Sequence, residues 1–320
     1  MTAKRAATGA EADKVLVMGE ALVDLVIGWG KKEIDAEPVP GGSPANVALA
    51  LSRLGVPTEL VTYLGKDTYG KQITKHLTAS GVTIIPGDPA VEETSRAIAW
   101  LDEDGAATYS FDIVWEPKSP ILVDPNVAIV HTGSIASALE PGAQAVLDAL
   151  RRAKYQALVT YDPNVRPQIL NDRVAAAELI EEAVAAADVV KVSDEDLEWL
   201  YPDTTPAKAA QRWLEDFELA LIVMTRGKDG PVAWTQSGID VSHAPGEVTV
   251  VDTVGAGDTF MGGLIEALWR RGYRGPQGAE RLADVDDVEL AAILEEASEV
   301  ADVVVQRRGA NPPWANELGR

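Results

Sequence analysis

Cysteine is absent from the 320 residues of this chain. Its absence excludes disulfide bonds, thiolate catalysis and cysteine-bound zinc. The three histidines, His76, His131 and His243, lie far apart and match no metal-ligand spacing. No apolar run approaches the roughly 18 residues that a membrane helix needs. We therefore expect no zinc site and no membrane partner.

Positive charge is also scarce, with 28 Lys and Arg against 50 Asp and Glu and a net charge of -22. A field of that sign repels phosphate backbones, which argues against nucleic acid as a partner. An anionic ligand would have to be held by local groups. Backbone N–H groups at helix N-termini commonly serve that purpose.

The first 14 residues are rich in alanine, threonine and charge and have no apolar core. They do not resemble a signal peptide, so we predict a disordered leader at 1–14 and a cytoplasmic protein. No linker interrupts the rest, which predicts a single domain over 15–320.

Short apolar strands alternate with helices along most of this domain. This rhythm predicts an α/β fold with a central, mostly parallel sheet covered on both faces, a three-layer α/β/α arrangement. From about residue 256 the chain is expected to be mainly helical, apart from a polar loop near 273–287. The predicted strands are 15–18, 59–64, 127–131, 157–161, 189–192 and 219–225, and the predicted helices include 43–55, 71–80, 141–153, 173–187 and 289–305.

Residues 97–101 and 107–111 do not follow this rhythm. They flank Asp102-Glu-Asp-Gly105, which is typical of a β-hairpin. With the strand-like residues 22–28, they predict a small β-sheet lid formed by about 22–38 and 94–116. Tyr109, Phe111 and Trp115 would either cover a bound ligand or form the core of a homodimer that associates through this lid.

The segment Asp252-Thr-Val-Gly-Ala-Gly-Asp258 lies where a strand-like run ends and a helix begins. Small residues there let backbone N–H groups approach an oxyanion, and the helix dipole adds positive potential. A carboxylate beside an anion site would repel the anion, so Asp258 makes sense as a general base. The same segment also fits a plain helix N-terminus with an acidic first turn, and both interpretations stay open at this point.

Two common nucleotide motifs are missing. The pattern G-x-x-x-x-G-K-[ST] does not occur, and G-x-G-x-x-G fails because Phe260 stands at the third glycine. A second notable segment is Pro40-Gly-Gly-Ser-Pro-Ala-Asn46, followed by a helix that ends in Leu54-Gly55. The Asn46 amide offers donors and an acceptor that suit sugar hydroxyls, although a plain loop-to-helix transition also accounts for it.

The two segments together, in this order and at this distance, resemble the PfkB-type (ribokinase-like) carbohydrate kinases from about Val15 to Trp314. Tyr161-Asp-Pro-Asn-Val-Arg-Pro167 and Arg308-Gly-Ala-Asn-Pro-Pro313 are most similar to the fructokinase branch. The resemblance implies the ribokinase-like fold and ATP-dependent phosphorylation of a sugar, with fructose as the expected acceptor. It also implies ATP, Mg²⁺ and K⁺ as cofactors.

The resemblance further implies roles for single residues. Asp258 would be the catalytic base and the backbone of Gly255, Ala256 and Gly257 the anion hole. The other implied groups are Asp24, Gly42, Asn46 and Arg166 for the sugar, Ser193, Thr225, Gly227, Gly230 and Ala310 for the nucleotide, Asp252 and Val254 for a monovalent cation, and Asp196 for Mg²⁺ through water.

The segment Lys191-Val-Ser-Asp-Glu-Asp196 departs from the pattern Asn-x-x-Glu that is common in the family. Asp196 is one methylene shorter than glutamate, and Glu195 could take its place by a shift of one residue. Ser-x-x-acid is also a helix-capping pattern. Two alternative functions are a kinase for ribose, 2-keto-3-deoxygluconate or a nucleoside, and a catalytically silent relative that senses sugar.

Overall fold

The computed structural model of the chain describes residues 13–87, 91–104, 106–117, 119–244, 246 and 248–320. Nine strands form one large sheet in the order β13-β12-β11-β10-β9-β8-β1-β4-β5. All neighbours from β11 to β5 pair in parallel, whereas β12 and β13 are added antiparallel at one edge. The strands are β1 (Lys14–Met18), β4 (Thr58–Thr62), β5 (Thr83–Pro86), β8 (Val127–Gly133), β9 (Leu158–Asp162), β10 (Val189–Ser193), β11 (Leu221–Thr225), β12 (Val232–Thr235) and β13 (Asp240–Ser242).

Helices cover both faces of this sheet, because successive strand residues point to opposite sides. Leu16 and Met18 of β1 pack in one buried cluster, and Val15 and Val17 pack in the other. The first cluster joins α3 (Gly142–Ala153), α4 (Arg173–Ala185), α5 (Asp194–Leu200) and α6 (Pro206–Asp216). The second joins α1 (Ser43–Arg53), α2 (Thr68–Ala79), α7 (Ala256–Arg270), α8 (Gly275–Ala283) and α9 (Asp287–Val304).

A separate four-stranded sheet lies beside the large one, with the order β3-β2-β6-β7. Its strands are β2 (Leu22–Ile27), β3 (Val39–Gly41), β6 (Arg96–Leu101) and β7 (Ala107–Asp112). The strands β6 and β7 form the predicted hairpin, and β2 pairs with β6 in parallel. The small sheet takes in β3, which lies beyond the expected boundary at 38.

Two glycines fix the position of α7 between its neighbours. A Cβ on Gly262 would lie 2.6 Å from the Ala50 Cβ of α1, and a Cβ on Gly263 would lie 3.0 Å from a Val300 methyl group of α9. The missing side chains therefore let α7 approach both helices closely. This packing holds the N-terminus of α7 against the N-terminus of α1.

The three-layer α/β/α fold with its small second sheet is confirmed. The expected loop near 273–287 is wrong in part, since 275–283 form α8, whose Leu282 is fully buried. The antiparallel edge strands β12 and β13 were not anticipated. Residues 1–12 of the expected leader lie outside the described residues, and Lys14 already belongs to β1. Over the described ranges, no helix is long and apolar enough to cross a membrane.

Candidate active site

Asp258 lies in the first turn of α7 and is only 6% exposed. Its carboxylate accepts hydrogen bonds from the Ser43 hydroxyl (2.7 Å), the Asn46 amide (2.8 Å) and the Asn164 amide (3.1 Å). The first two donors come from the start of α1, and the third follows β9. A carboxylate has about four acceptor positions, so three donors fix its orientation and leave room for a hydroxyl group.

The turn before Asp258 is built on Gly255, which precedes the first residue of α7 and has a left-handed backbone with φ of 74°. Its Cα lies against Ala310, since a Cβ on Gly255 would approach the Ala310 Cβ to 2.5 Å. The Ala256 N–H donates to the Thr253 carbonyl oxygen at 3.2 Å. Among the described residues, no acceptor is found for the amides of Gly255 and Gly257. These two amides are therefore available to an anion at the helix N-terminus.

A cavity of about 760 Å³ opens on one side of this turn. Thr225 at the end of β11 and Gly227 and Gly230 after it line the cavity together with Ala256 and Gly257. Three residues of α9, Ser298, Ala301 and Asp302, form another part of its wall, and Lys228 contributes a positive charge. The cavity thus brings the predicted nucleotide residues 225, 227 and 230 to the predicted anion hole.

The opposite side of Asp258 is formed by the start of α1 and by β2. Gly42 has φ of 100°, and a Cβ there would lie 2.6 Å from the Glu20 carbonyl oxygen. At the neighbouring Gly41 a Cβ would collide with the Asp24 carboxylate. The glycine pair of the sequence motif is therefore required, because the Glu20 backbone and the Asp24 side chain pack directly against it.

Arg166 brings positive charge to this acidic side. It donates to the Asn164 side-chain oxygen (2.6 Å), and Asn164 in turn donates to Asp258. Burial raises the pKa of Asp24 to about 6, while Arg166 opposes the shift and Asp258 adds to it. Arg166 and Asp258 thus lie close enough to Asp24 to influence its charge.

Glu20 is a further acid in this region, which the motif analysis did not identify. It is 4% exposed, and its Oε2 atom has no hydrogen-bond partner among the described residues. Burial raises its pKa to about 7, although hydrogen bonds to its own backbone and Ser134 and the charge of Arg166 act in the opposite direction. Glu20 therefore changes charge near neutral pH.

We expect Glu20→Gln to alter how stability depends on pH. In wild type the folded state keeps the Glu20 proton up to about pH 7, whereas the unfolded chain loses it near 4.5. Stability must fall as pH rises between these values, by at most about 3 kcal/mol. Glutamine carries no such proton, so the Tm advantage of the variant should grow from about pH 5 to about pH 8. Thermal melts of both proteins without ligand over this pH range measure the Tm difference between them. A Tm difference that does not change with pH would contradict the raised pKa of Glu20.

A buried ion pair lies below the turn of α7. The Lys191 ammonium of β10 is 2.7 Å from Asp162 Oδ2 of β9, and both side chains are almost fully buried. A Cβ on Gly257 would lie 3.2 Å from Lys191 Nζ. The predicted anion hole thus has a positive charge directly behind it.

Ser193 and Asp196 form the capping pair at the start of α5. The Ser193 hydroxyl accepts from the Asp196 N–H (3.0 Å), and Asp196 Oδ2 accepts from the Ser193 N–H (3.4 Å). Asp196 Oδ1 also accepts from the Val165 N–H (3.0 Å). Among the described residues, no group of three or more histidines and acids is arranged to hold a metal. Since Mg²⁺ in phosphate sites usually keeps several waters, Asp196 fits a role through water rather than direct coordination.

Asp252 is held by backbone donors at the loop before α7. Its carboxylate accepts from the Val254 N–H (3.0 Å) and the Gly309 N–H (2.8 Å). These hydrogen bonds lower its pKa. An ionised carboxylate in a loop with peptide oxygens matches the oxygen ligands that a hard cation prefers, so Asp252 fits the predicted monovalent-cation site.

A model of the pfkB family carbohydrate kinases matches residues 12–317. The chain belongs to this family. This carbohydrate kinase is 32% identical to a fructokinase of Vibrio alginolyticus over 267 residues, which are 81% of this chain and 85% of that protein. The solved fructokinase of Xylella fastidiosa with bound ATP is 26% identical and has a TM-score of 0.79, with 96% and 97% of the two chains covered.

A second solved relative is a double mutant of a Vibrio cholerae O395 fructokinase with fructose, ADP and a potassium ion bound. It is 26% identical to the present chain and has a TM-score of 0.73. The match covers 93% of this chain and 94% of the Vibrio cholerae chain. The predicted family and the enzyme class, a sugar kinase, are confirmed. The assignment of individual site residues stays a prediction that the geometry above supports.

The fold of the kinase brings five further side chains to the site that the sequence motifs did not predict. Asn164 and Asp162 lie inside the segment 161–167, whose resemblance to fructokinases implied a role for Arg166 alone. Ser43 lies between Gly42 and Asn46, so the same segment could have pointed to it. Lys191 lies inside the apolar strand β10 and Glu20 shortly after β1, and neither had a local signal beyond its charge.

Proposed function

We propose that this kinase transfers the γ-phosphoryl group of ATP to the primary hydroxyl of fructose and forms fructose 6-phosphate. The observation that carries the proposal is the position of Asp258. It lies at the start of α7, with a cavity suited to a nucleotide on one side and the groups of α1 and β2 on the other. The similarity to fructokinases supports fructose as the acceptor.

In the proposed reaction, Asp258 accepts the proton of the acceptor hydroxyl as its oxygen attacks the γ-phosphorus. A bond forms between these two atoms, and the bond from the γ-phosphorus to the β,γ-bridging oxygen breaks. The bridging electron pair leaves with ADP. The amides of Gly255 and Gly257 and the dipole of α7 stabilise charge on the transferring group.

The acceptor would bind between α1 and β2. Asp24, Asn46 and Arg166 supply acceptors and donors for sugar hydroxyls, and Gly42 allows close approach to the backbone. The Asn46 amide has a second task in this scheme, since it also donates to Asp258. Asn46 would therefore connect the position of the sugar with the position of the base.

The nucleotide would occupy the cavity of about 760 Å³, which falls in the usual size range of small-molecule sites. Thr225, Gly227 and Gly230 line the part next to the α7 turn, and Ala310 adjoins Gly255. Ser193 would act at the start of α5, outside this lining. Asp302 and Ser298 of α9 offer polar contacts to a base or ribose.

Mg²⁺ would neutralise phosphate charge during transfer, with Asp196 hydrogen-bonded to its waters, and K⁺ would be held by Asp252 and the backbone of Val254.

The small sheet would close over the sugar and exclude water. Its exposed Val26 and Tyr109, which both lie in register with Ala99 on one face, support the predicted homodimer through this sheet. We also place the enzyme in the cytoplasm.

A panel of acceptors in a coupled ADP-release assay tests the proposal. Fructose should give the highest kcat/KM, above ribose, 2-keto-3-deoxygluconate and a nucleoside. Product analysis should locate the phosphate on the primary hydroxyl. A clear preference for another acceptor would replace fructose, and sugar binding without ADP release would identify a silent relative instead of an enzyme.

Asn46→Ala should separate the two substrates. Loss of a hydrogen bond to a charged or tightly bound group costs about 1.5–3 kcal/mol, so we expect KM for fructose to rise at least tenfold, while KM for ATP stays within about twofold. The control is Asn316→Ala, an exposed asparagine in the C-terminal turn, which should change neither constant. Equal increases in both KM values would contradict a role for Asn46 at the acceptor.

A further inference from the structure

Lys191 is an unusual buried lysine, with only 3% of its surface exposed. Lysine is almost never fully buried unless it is paired. Its partner is Asp162, which is completely buried and lies 2.7 Å away. Burial raises the pKa of Asp162 to about 6, against the opposing effect of Lys191. The pair is thus held in a region that disfavours isolated charge.

The register of the strands aims this pair at α7. Val190 of β10 lies beside Tyr161 of β9, and both side chains pack in the cluster of α3 to α6. The next residues, Lys191 and Asp162, therefore point to the opposite face. That face carries α7, where the Lys191 ammonium lies against Gly257.

The surroundings of Lys191 are otherwise acidic. Asp196 and Asp258 both act on Asp162 and favour its protonated form. His131 on the same face adds no positive charge at neutral pH, because burial and then the charge of Lys191 lower its pKa to about 3. Lys191 is therefore a cation that opposes these acids directly behind the Gly257 amide.

An ion pair is a less favourable way to fill a buried space than apolar side chains. Each buried ion loses several kcal/mol of hydration, and apolar residues of similar volume are often as stabilising. The pair also leaves Asp162 Oδ1 without a hydrogen-bond partner among the described residues. The alternative role of Lys191 is purely structural, namely to neutralise the Asp162 carboxylate. Replacing both residues together distinguishes this role from one in catalysis.

We propose that Lys191 supports phosphoryl transfer from behind the anion hole, and that Asp162 holds it there. The inference rests on the proposed function. A transferring phosphoryl group at the Gly255 and Gly257 amides would lie in the positive field of the Lys191 ammonium, in a poorly solvated region where that field is strong. Lys191 is a positioning residue in this scheme, since it keeps positive potential behind Gly257 and does not touch the reacting atoms.

The test compares Lys191→Met, Asp162→Asn and the double variant. Lys191→Met leaves an unpaired buried acid, so its Tm and kcat should both fall. The double variant removes both charges and should regain most of the lost Tm. We expect its kcat to stay about 10²-fold or more below wild type, the size of effect known for one lost anion-hole donor. Recovery of kcat to within about threefold of wild type would overturn the proposal, because Lys191 would then only neutralise Asp162.

Should the double variant not fold, the single variants still decide. Asp162→Asn keeps the cation and Lys191→Met removes it, so the proposal requires a higher kcat for Asp162→Asn. Equal losses would count against it. The matched control is Lys154→Met with Asp188→Asn, a pair 3.7 Å apart at the start of β10, which should leave kcat unchanged.

A binding measurement separates this proposal from the choice of acceptor. ADP alone and ADP with aluminium fluoride, a mimic of the transferring phosphoryl group, are titrated with Mg²⁺ and without sugar. The double variant should bind ADP almost like wild type and the aluminium fluoride complex at least about tenfold more weakly. If the double variant and wild type bound the aluminium fluoride complex with equal affinity, the proposed role of Lys191 would be overturned. Absence of turnover in wild type with fructose, together with the expected binding difference, would instead reject only the proposed acceptor.

Discussion

Replacement of Asp258 by asparagine is expected to reduce kcat by between about 10²- and 10⁴-fold, the range that general base catalysis contributes. Asparagine has the same shape but cannot take the proton of an acceptor hydroxyl. Ser43 and Asn164 both donate to Oδ1 of Asp258, so they can still donate to an asparagine oxygen at that position. Asn46 donates to Oδ2 and can rotate its amide so that its own oxygen accepts from the new NH₂ group. The fold and the nucleotide cavity should therefore be preserved.

Steady-state turnover with saturating ATP and sugar measures this effect, with Tm and ADP affinity as checks on the fold. The matched control is Asp188→Asn, because Asp188 is also a buried carboxylate and accepts a hydrogen bond from the Val159 N–H (2.8 Å). It directly precedes β10, at the N-terminal end of a strand whose C-terminal end faces the site, so the control should lose stability and keep its kcat. If Asp258→Asn retained turnover within about tenfold of wild type, less than a general base contributes, Asp258 would not be the base.

Local sequence patterns were sufficient to predict those parts of the site that lie within single segments of the chain. Gly255 and Asp258 stand only three positions apart, so a turn and the helix after it bring them together. The Gly42–Asn46 segment is similar, because a glycine with positive φ precedes α1 and the helix presents Asn46 one turn later. Such arrangements depend on backbone geometry that the residue types themselves specify.

Contacts between residues on different strands could not be predicted from single segments of the sequence. The approach of Lys191 to Gly257 depends on the order of β9 and β10, on their register and on the glycines that bring α7 close to α1 and α9. None of these is encoded near Lys191. Glu20 is a comparable case, because the groups that act on its carboxyl, Ser134 and Arg166, come from distant parts of the chain.

Secondary structure was misassigned where tertiary contacts outweigh composition. Gly275, Pro276 and several polar residues favour a loop after α7. The segment is helical, since Pro276 suits the first turn and Leu282 is buried in the cluster of α1 and α7. The short strands β12 and β13 exist because they extend a sheet edge that β11 already provides.

Gly255→Ala should produce the second large effect. At φ of 74° an alanine is strained by about 1–2 kcal/mol, and its Cβ would stand 2.5 Å from the Ala310 Cβ. The turn must shift, which moves the Gly255 and Gly257 amides away from the transferring group. We expect kcat to fall by about 10²–10³-fold, as for loss of an anion-hole donor, with a weaker affinity for ADP because Ala310 is displaced.

Gly272→Ala provides the control that separates strain from position. Gly272 follows the other end of α7 with a nearly identical φ of 75°, and the nearest atom to an added Cβ is 4.0 Å away, at the end of the Arg281 side chain. Both variants should lose Tm from backbone strain, and Gly255→Ala should lose more because of the clash with Ala310, but only Gly255→Ala should lose turnover and ADP affinity. Matching kinetic losses in the two variants would mean that strain in α7, and not the placement of the amides beside Asp258, governs the rate.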